Sequence, residues 1–202
     1  MRRSRSDGFP MQVTTEWNVL QPLTEFYEES GLPLPAVSLI DGQDVPEPYR
    51  TLLVHDSDMT PTLEAAYGQT IHLRVLRHSL RDGVSSRQVL LVLEDDATAV
   101  EFGGIKIYLE HLPGEARRLV LENRQPLGTI LHTQRVAHQS HPSAYLRVTA
   151  DPAMREALDL AEPRVLYGRC NVLSDLSHNV LARVVEILPP WNGPAGWEEN
   201  LG

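Results

Sequence analysis

Residues 71 to 93, "IHLRVLRHSLRDGVSSRQVLLVL", constrain the fold more than any other part of the chain. Ile71, Leu73 and Val75 alternate with His72 and Arg74, which is the period of a half-buried strand. Arg81-Asp82-Gly83 is turn chemistry, and the run from Val89 to Leu93 is solidly apolar, as a strand covered on both faces is. Two strands joined by so short a link run antiparallel, because a parallel pair needs a crossover of a dozen residues or more. The stretch therefore predicts a hairpin or its longer-looped relative.

A second hairpin is expected near the C-terminus, from "PRVLYGRCNVL" through the polar turn "SDLSHN" to "VLARVVEILP". A further strand lies in "TAVEFGGIKIYLEHLP". There Val100 and Phe102 alternate, Gly103-Gly104 interrupts, and Ile105, Ile107 and Leu109 resume. The double glycine predicts a bulge or a close backbone approach by a ligand. "LQPLTEFYEESGLP" has apolar residues at helical spacing with Gly31 as its stop, and "MTPTLEAAYG" reads as a helix with Thr60 as N-cap, Pro61 at the first position and Gly68 after the last turn. Two more helices begin at Pro126, with Leu127, Ile130 and Leu131 on one stripe, and at Asp151-Pro152, ended by Pro163. These elements predict an α+β fold, an antiparallel β-sheet with helices packed on one face. The expected division is a flexible arm over 1–19, one domain over 20–190 and a tail over 191–202.

Composition narrows the function. A formal net charge of -9 argues against a nucleic-acid surface, whose affinity comes from clustered Lys and Arg. The one basic cluster is "MRRSRS" at the start, with no apolar segment behind it to make a secretory signal. The first fifty residues are too short and too acidic for a winged DNA-binding module, so a transcription-factor role in cis is not expected. No segment approaches the roughly 18 consecutive apolar residues of a membrane span. The single cysteine, Cys170, excludes an internal disulfide, fits a reducing, cytoplasmic setting and reads as a packed thiol.

No strong catalytic or cofactor signature is present. "EFGGIK" lacks the Gly-Lys-Ser/Thr arrangement of a phosphate loop, and His132, His138 and His141 in "LHTQRVAHQSH" do not have zinc-ligand spacing and read as a solvated loop. No metal or cofactor is expected. Charges on strands carry more information. His72 and Arg74, Lys106 with Tyr108, and Arg169 with Tyr167 and Asn171 would line a pocket for a small carboxylic acid if their faces converge, and otherwise form a wet sheet face. In "VLARVVEILPP", Glu186 shares a face with Val180, Ala182, Val184 and Leu188, whereas Arg183 shares the other with Leu181, Val185 and Ile187. Two readings of Glu186 stand: an end-of-strand carboxylate paired with a neighbouring cation, or a pocket carboxylate whose pKa burial raises into the range useful for proton transfer.

The order "DSDMTPTLEAAYGQT", "SRQVLLVLEDD", "QPLGTILHT", "YGRCNVL" and "VVEILPP" resembles the chorismate lyase family and the related UTRA ligand-binding domain of GntR-type regulators, over roughly residues 50 to 190. The resemblance implies a chorismate-lyase-like sheet with a ligand buried under helical flaps, and an enzyme that eliminates pyruvate from chorismate to leave 4-hydroxybenzoate without a cofactor. It further implies Glu186 as the catalytic acid/base, Met59, Leu127 and Gly128 as flap contacts, and a basic residue among Arg74, Arg77 and Lys106 gripping carboxylates. Aligned this way, Leu91 stands where the lyases carry a carboxylate-binding arginine. Lys106 lies one residue out of register with a second basic position, and Lys does not replace the bidentate grip of Arg. The alternative is a non-catalytic UTRA-like domain that binds a small aromatic acid. A third reading is an interaction protein with side chains filling the pocket. The expected partner is an aromatic or enolpyruvyl carboxylic acid, the expected state a monomer or weak dimer.

Overall fold

A computed structural model of the chain describes residues 19–197. The basic cluster and the arm expected over 1–19 lie outside the described residues, Val19 excepted, as do residues 198–202 of the tail.

The first predicted hairpin is the starting point of a seven-stranded, wholly antiparallel sheet. Its strands are β1 (Val37–Ile40), β2 (Ile71–Arg81), β3 (Val84–Leu93), β4 (Ala99–Tyr108), β5 (His138–Thr149), β6 (Val165–Asp175) and β7 (Val180–Leu188), in the spatial order β1-β5-β6-β7-β4-β3-β2. Asp82 and Gly83 both take positive φ, 50° and 76°, which is the two-residue turn whose twist matches its strands. A turn this tight fixes the register: Arg81 pairs with Val84, and β3 starts five residues before the apolar run at Val89. Ser85, Ser86, Arg87 and Gln88 are consequently inside the sheet and buried.

Three sequence expectations change here. Of the histidines read as lying in a solvated loop, His132 belongs to a helix, and His138 and His141 open β5, which pairs β1 on one side and β6 on the other. Gly103-Gly104 makes no bulge. Both residues pair in unbroken register with Glu186 and Val185 of β7, and the irregularity between β3 and β4 falls at Leu91/Val92 instead. The helix after "HDSD" begins two residues earlier than expected, with Asp58 rather than Thr60 at the N-cap.

The helices are α1 (Leu23–Ser30), α2 (Tyr49–Leu53), α3 (Met59–Tyr67), α4 (Gly114–Glu122), α5 (Leu127–Thr133) and α6 (Pro152–Ala157). The α+β antiparallel architecture is as expected, with helices on both faces of the sheet rather than on one. One face of the sheet carries α2, α3, α4 and α5 through Leu53, Leu63, Val120, Ile130 and Leu131, each 1% exposed or less. The other face is closed by α1 and the short α6, with Leu23, Tyr27 and Met154 against Leu90, Phe102, Leu146 and Val185. Asp151 caps α6 by accepting from the Met154 amide at 2.8 Å, as its place before Pro152 predicted. Cys170 belongs to this second layer. Burial pushes its thiol up to about 12, so it packs rather than reacts. Beyond β7, Trp191 stacks on Tyr67 of α3 at 4.7 Å, and Trp197 on Trp191 at 4.9 Å.

Candidate functional site

Antiparallel register decides which side chains share the cavity. Alternate residues of β3 (Arg87, Val89, Leu91), β4 (Glu101, Gly103, Ile105), β7 (Val184, Glu186) and β6 (Asn171, Leu173) point to one side of the sheet, beneath α3 and α5. They form the floor of a cavity of about 60 Å³. Asp58, Met59 and Thr60 from α3 and Pro126, Leu127 and Gly128 from α5 close it from above. The two lid helices touch each other. A benzene-sized guest occupies a cavity of about 150 Å³, so a ring enters only as these helices part.

Glu186, Met59, Leu127 and Gly128 therefore meet around one cavity. Arg74, Arg77 and Lys106 do not. All three are on the α1 face of the sheet: Arg74 is exposed, Lys106 is ion-paired with Glu25, and Arg77 donates to the Phe26 carbonyl and lies over the Phe26 ring. The physical reason is parity. Arg74 and Lys106 are an odd number of positions from the pocket-facing Leu73 and Ile105, and the irregularity at Val75/Arg77 puts Arg77 on the same outer side.

The cation of the cavity is Arg87, a residue that no sequence motif singles out. It lies four residues before Leu91 on the same face of β3 and is 1% exposed. One guanidinium nitrogen donates to the Val120 carbonyl of α4, while Nε has no hydrogen-bond partner among the described residues. No carboxylate is ion-paired with it there. Burial alone pulls its pKa down from 12.5 to about 10. The signal that would have found it is the Asp-Gly turn: a two-residue hairpin loop carries β3 back to Val84, and with it Arg87 into the sheet.

Arg169 is also fully buried, but it is spent on structure. Its Nε donates to Glu186 Oε2 at 2.5 Å, and its remaining donors reach the carbonyls of Leu53 (3.2 Å), His55 (2.9 Å) and Ser57 (3.0 Å). This side chain ties β6 to β7 and both to the loop leading into α3. Glu186 is thus a paired carboxylate that faces the pocket, which joins the two readings of it. Arg183 is exposed on the opposite face.

A second buried acid, Glu101, faces the same cavity. Burial first, and the charge of Glu186 second, push its carboxyl well above the usual carboxylate range, against the opposing pull of Arg169. Glu101 Oε2 has no hydrogen-bond partner among the described residues.

Two glycines set how closely these strands approach. A Cβ on Gly168 would lie 2.3 Å from the Glu186 carbonyl oxygen, and one on Gly103 would lie 2.8 Å from the Val185 carbonyl oxygen and 3.1 Å from Glu101 Oε1. Gly168→Ala is expected to cost roughly 1–3 kcal/mol or more, since a backbone atom must move, and to weaken binding by displacing Glu186. Urea unfolding of the variant checks the first effect and ligand titration the second.

His138 Nε2 and Asp58 Oδ2 are 2.8 Å apart, joining β5 to the N-cap of α3. The hydrogen bond to Asp58 raises the His138 pKa above 6.5, more than burial lowers it. A raised folded-state value gives stability that is complete below about pH 6.5 and is lost as pH rises through the folded-state pKa. The difference in stability between the parent and His138→Gln is therefore expected to be largest in acid and to shrink toward pH 8, as urea unfolding across that range reads out.

No protein-family model matches the chain, and no curated protein does. Among solved structures, PhnF from Mycobacterium smegmatis aligns with a TM-score of 0.50 at 13% identity, over 68% of this chain and 65% of that one. The effector domain of PhnF alone gives 0.50 and 13%, over 66% and 88%. The ligand-binding domain of a putative GntR-family transcriptional regulator from Bordetella bronchiseptica gives 0.44 and 14%, over 59% and 86%. At such identities the likeness to PhnF concerns the fold alone: this chain shares the α+β fold of the PhnF effector domain. No described helix is long and apolar enough to cross a membrane.

Proposed function

We propose that the protein is a non-catalytic binding module for a small aromatic carboxylic acid. The observation that carries this reading is Arg87, a buried guanidinium without an ionic partner, facing a cavity whose walls are otherwise mostly apolar. Such a cation is costly until an anion reaches it, and Val89, Ile105, Leu173 and Leu127 suit the faces of a ring. The fold of the PhnF effector domain supports the same reading. Glu186, expected as an acid/base, is held by Arg169 and serves to position it.

A specific observation favours the lyase reading as a second possibility: Glu101 lines the cavity and burial raises its carboxyl well above the usual carboxylate range, the direction that proton donation to a leaving group requires. One experiment separates the two. In calorimetric titration 4-hydroxybenzoate is expected to bind the parent protein, while incubation with chorismate yields no pyruvate above background. Pyruvate formation lost in Glu101→Gln would establish the lyase instead, and failure to bind any aromatic acid would remove both readings.

A further inference from the structure

Four buried side-chain atoms without a hydrogen-bond partner among the described residues belong to residues lining this one cavity: Asp58 Oδ1, Arg87 Nε, Glu101 Oε2 and Asn171 Oδ1. Arg87, Glu101 and Asn171 are 1%, 4% and 2% exposed. Buried polar atoms are ordinarily paired, so a group of this kind around a single space describes the ligand that would complete it. Arg87 Nε is a donor and calls for an anion. The carboxyl of Glu101 can accept a hydrogen bond and, carrying its proton, can also give one.

The two groups are at different ends of the floor. Glu101 pairs with Leu91 across the β3–β4 ladder and Arg87 pairs with Ile105, so their backbone positions are four residues of strand apart. At about 3.3 Å per residue this is roughly 13 Å. Between them lie Val89 and Gly103, an apolar side chain opposite a position with none. This leaves a nonpolar middle between one cationic end and one carboxyl end, a span along which a single ring could be held at both once the lid helices part. Arg169 leaves Glu101 unpaired, since its donors go to Glu186 and to the loop carbonyls.

We propose that Glu101 sets the specificity of the pocket: it selects a ring acid that carries a hydroxyl or amino group at the end opposite the carboxylate held by Arg87. The inference rests on the binding reading above and narrows it. A ligand ending in a methyl group would bury the Glu101 carboxyl without a partner, whereas a hydroxyl or amino group of the same size completes it. Leaving such a group unpaired in a dry site lowers affinity roughly ten- to a hundredfold.

The test is a titration of the full chain with 4-hydroxybenzoate, 4-aminobenzoate and their apolar isostere 4-methylbenzoate, in the parent and in Glu101→Leu and Glu101→Gln. The parent is expected to favour the hydroxy and amino acids over the methyl acid by about tenfold or more. Glu101→Leu is expected to abolish or invert that preference while still binding 4-methylbenzoate, and Glu101→Gln, which keeps a donor and an acceptor, to retain a preference. Equal affinity of the parent for all three acids overturns this inference alone, and that result needs no variant to fold. The same preference surviving in Glu101→Leu also overturns it. Binding of none of the three by the parent overturns both this inference and the reading it rests on.

Discussion

Replacing Arg87 by Met is expected to make the protein more stable and unable to bind an organic anion. The two effects come from one cause. The guanidinium is buried with a single backbone carbonyl for a partner, and its fall from 12.5 to about 10 corresponds to about 3 kcal/mol of strain on the charged form. For a base whose folded pKa is depressed, that penalty is present at every pH below the folded-state value, and so in full at pH 7. Met fills much of the same volume without the charge, so a net gain of about 1–3 kcal/mol is expected after imperfect packing is counted. Affinity for a carboxylate should fall by about 2–5 kcal/mol, because a desolvated charge partner is lost. Thermal unfolding with and without 4-hydroxybenzoate reads both: the variant melts higher when empty, and added ligand moves only the parent. A destabilised variant that still binds would show that Arg87 is a structural residue.

Arg169→Met is expected to act in the opposite sense, costing about 3–5 kcal/mol. It leaves the Glu186 carboxylate buried beside the acid Glu101, and it strips the carbonyls of Leu53, His55 and Ser57 of their donor. Loss of that tie also frees the loop that carries Asp58 and Met59 to the lid, so binding should weaken along with stability. The double variant Arg169→Met with Glu186→Leu should recover much of the stability, since removing both members of a buried pair is far less costly than removing one. Urea unfolding of the two variants and of Glu186→Leu completes the cycle. A double variant no more stable than Arg169→Met would place the weight of Arg169 in its carbonyl contacts rather than in the pair. The two buried arginines thus make opposite predictions despite nearly equal exposure, 1% and 0%.

Local chemistry in the chain determined a good deal. Period-two patterns and the Asp-Gly turn specified the two hairpins, Gly31 and Gly68 ended α1 and α3, and Asp151-Pro152 opened α6, because each acts over a few residues of backbone. The face of Glu186 was legible for the same reason: alternation along one strand needs no knowledge of its neighbours. Strand β5 was not, since His138, Gln139, Ser140 and His141 are polar and become a strand only through pairing with β6. The choice of cation was decided later still. Arg74, Arg77, Arg87, Lys106 and Arg169 are all basic residues on strands, and nothing in their flanking sequence ranks them. Tertiary structure ranks them by what each meets: solvent for Arg74, α1 for Arg77 and Lys106, Glu186 and three carbonyls for Arg169, and the lidded cavity for Arg87. Sequence fixes which groups a strand presents on a face. Only the register between strands, and the helices laid across them, fixes which groups share a volume small enough for desolvation and charge to matter.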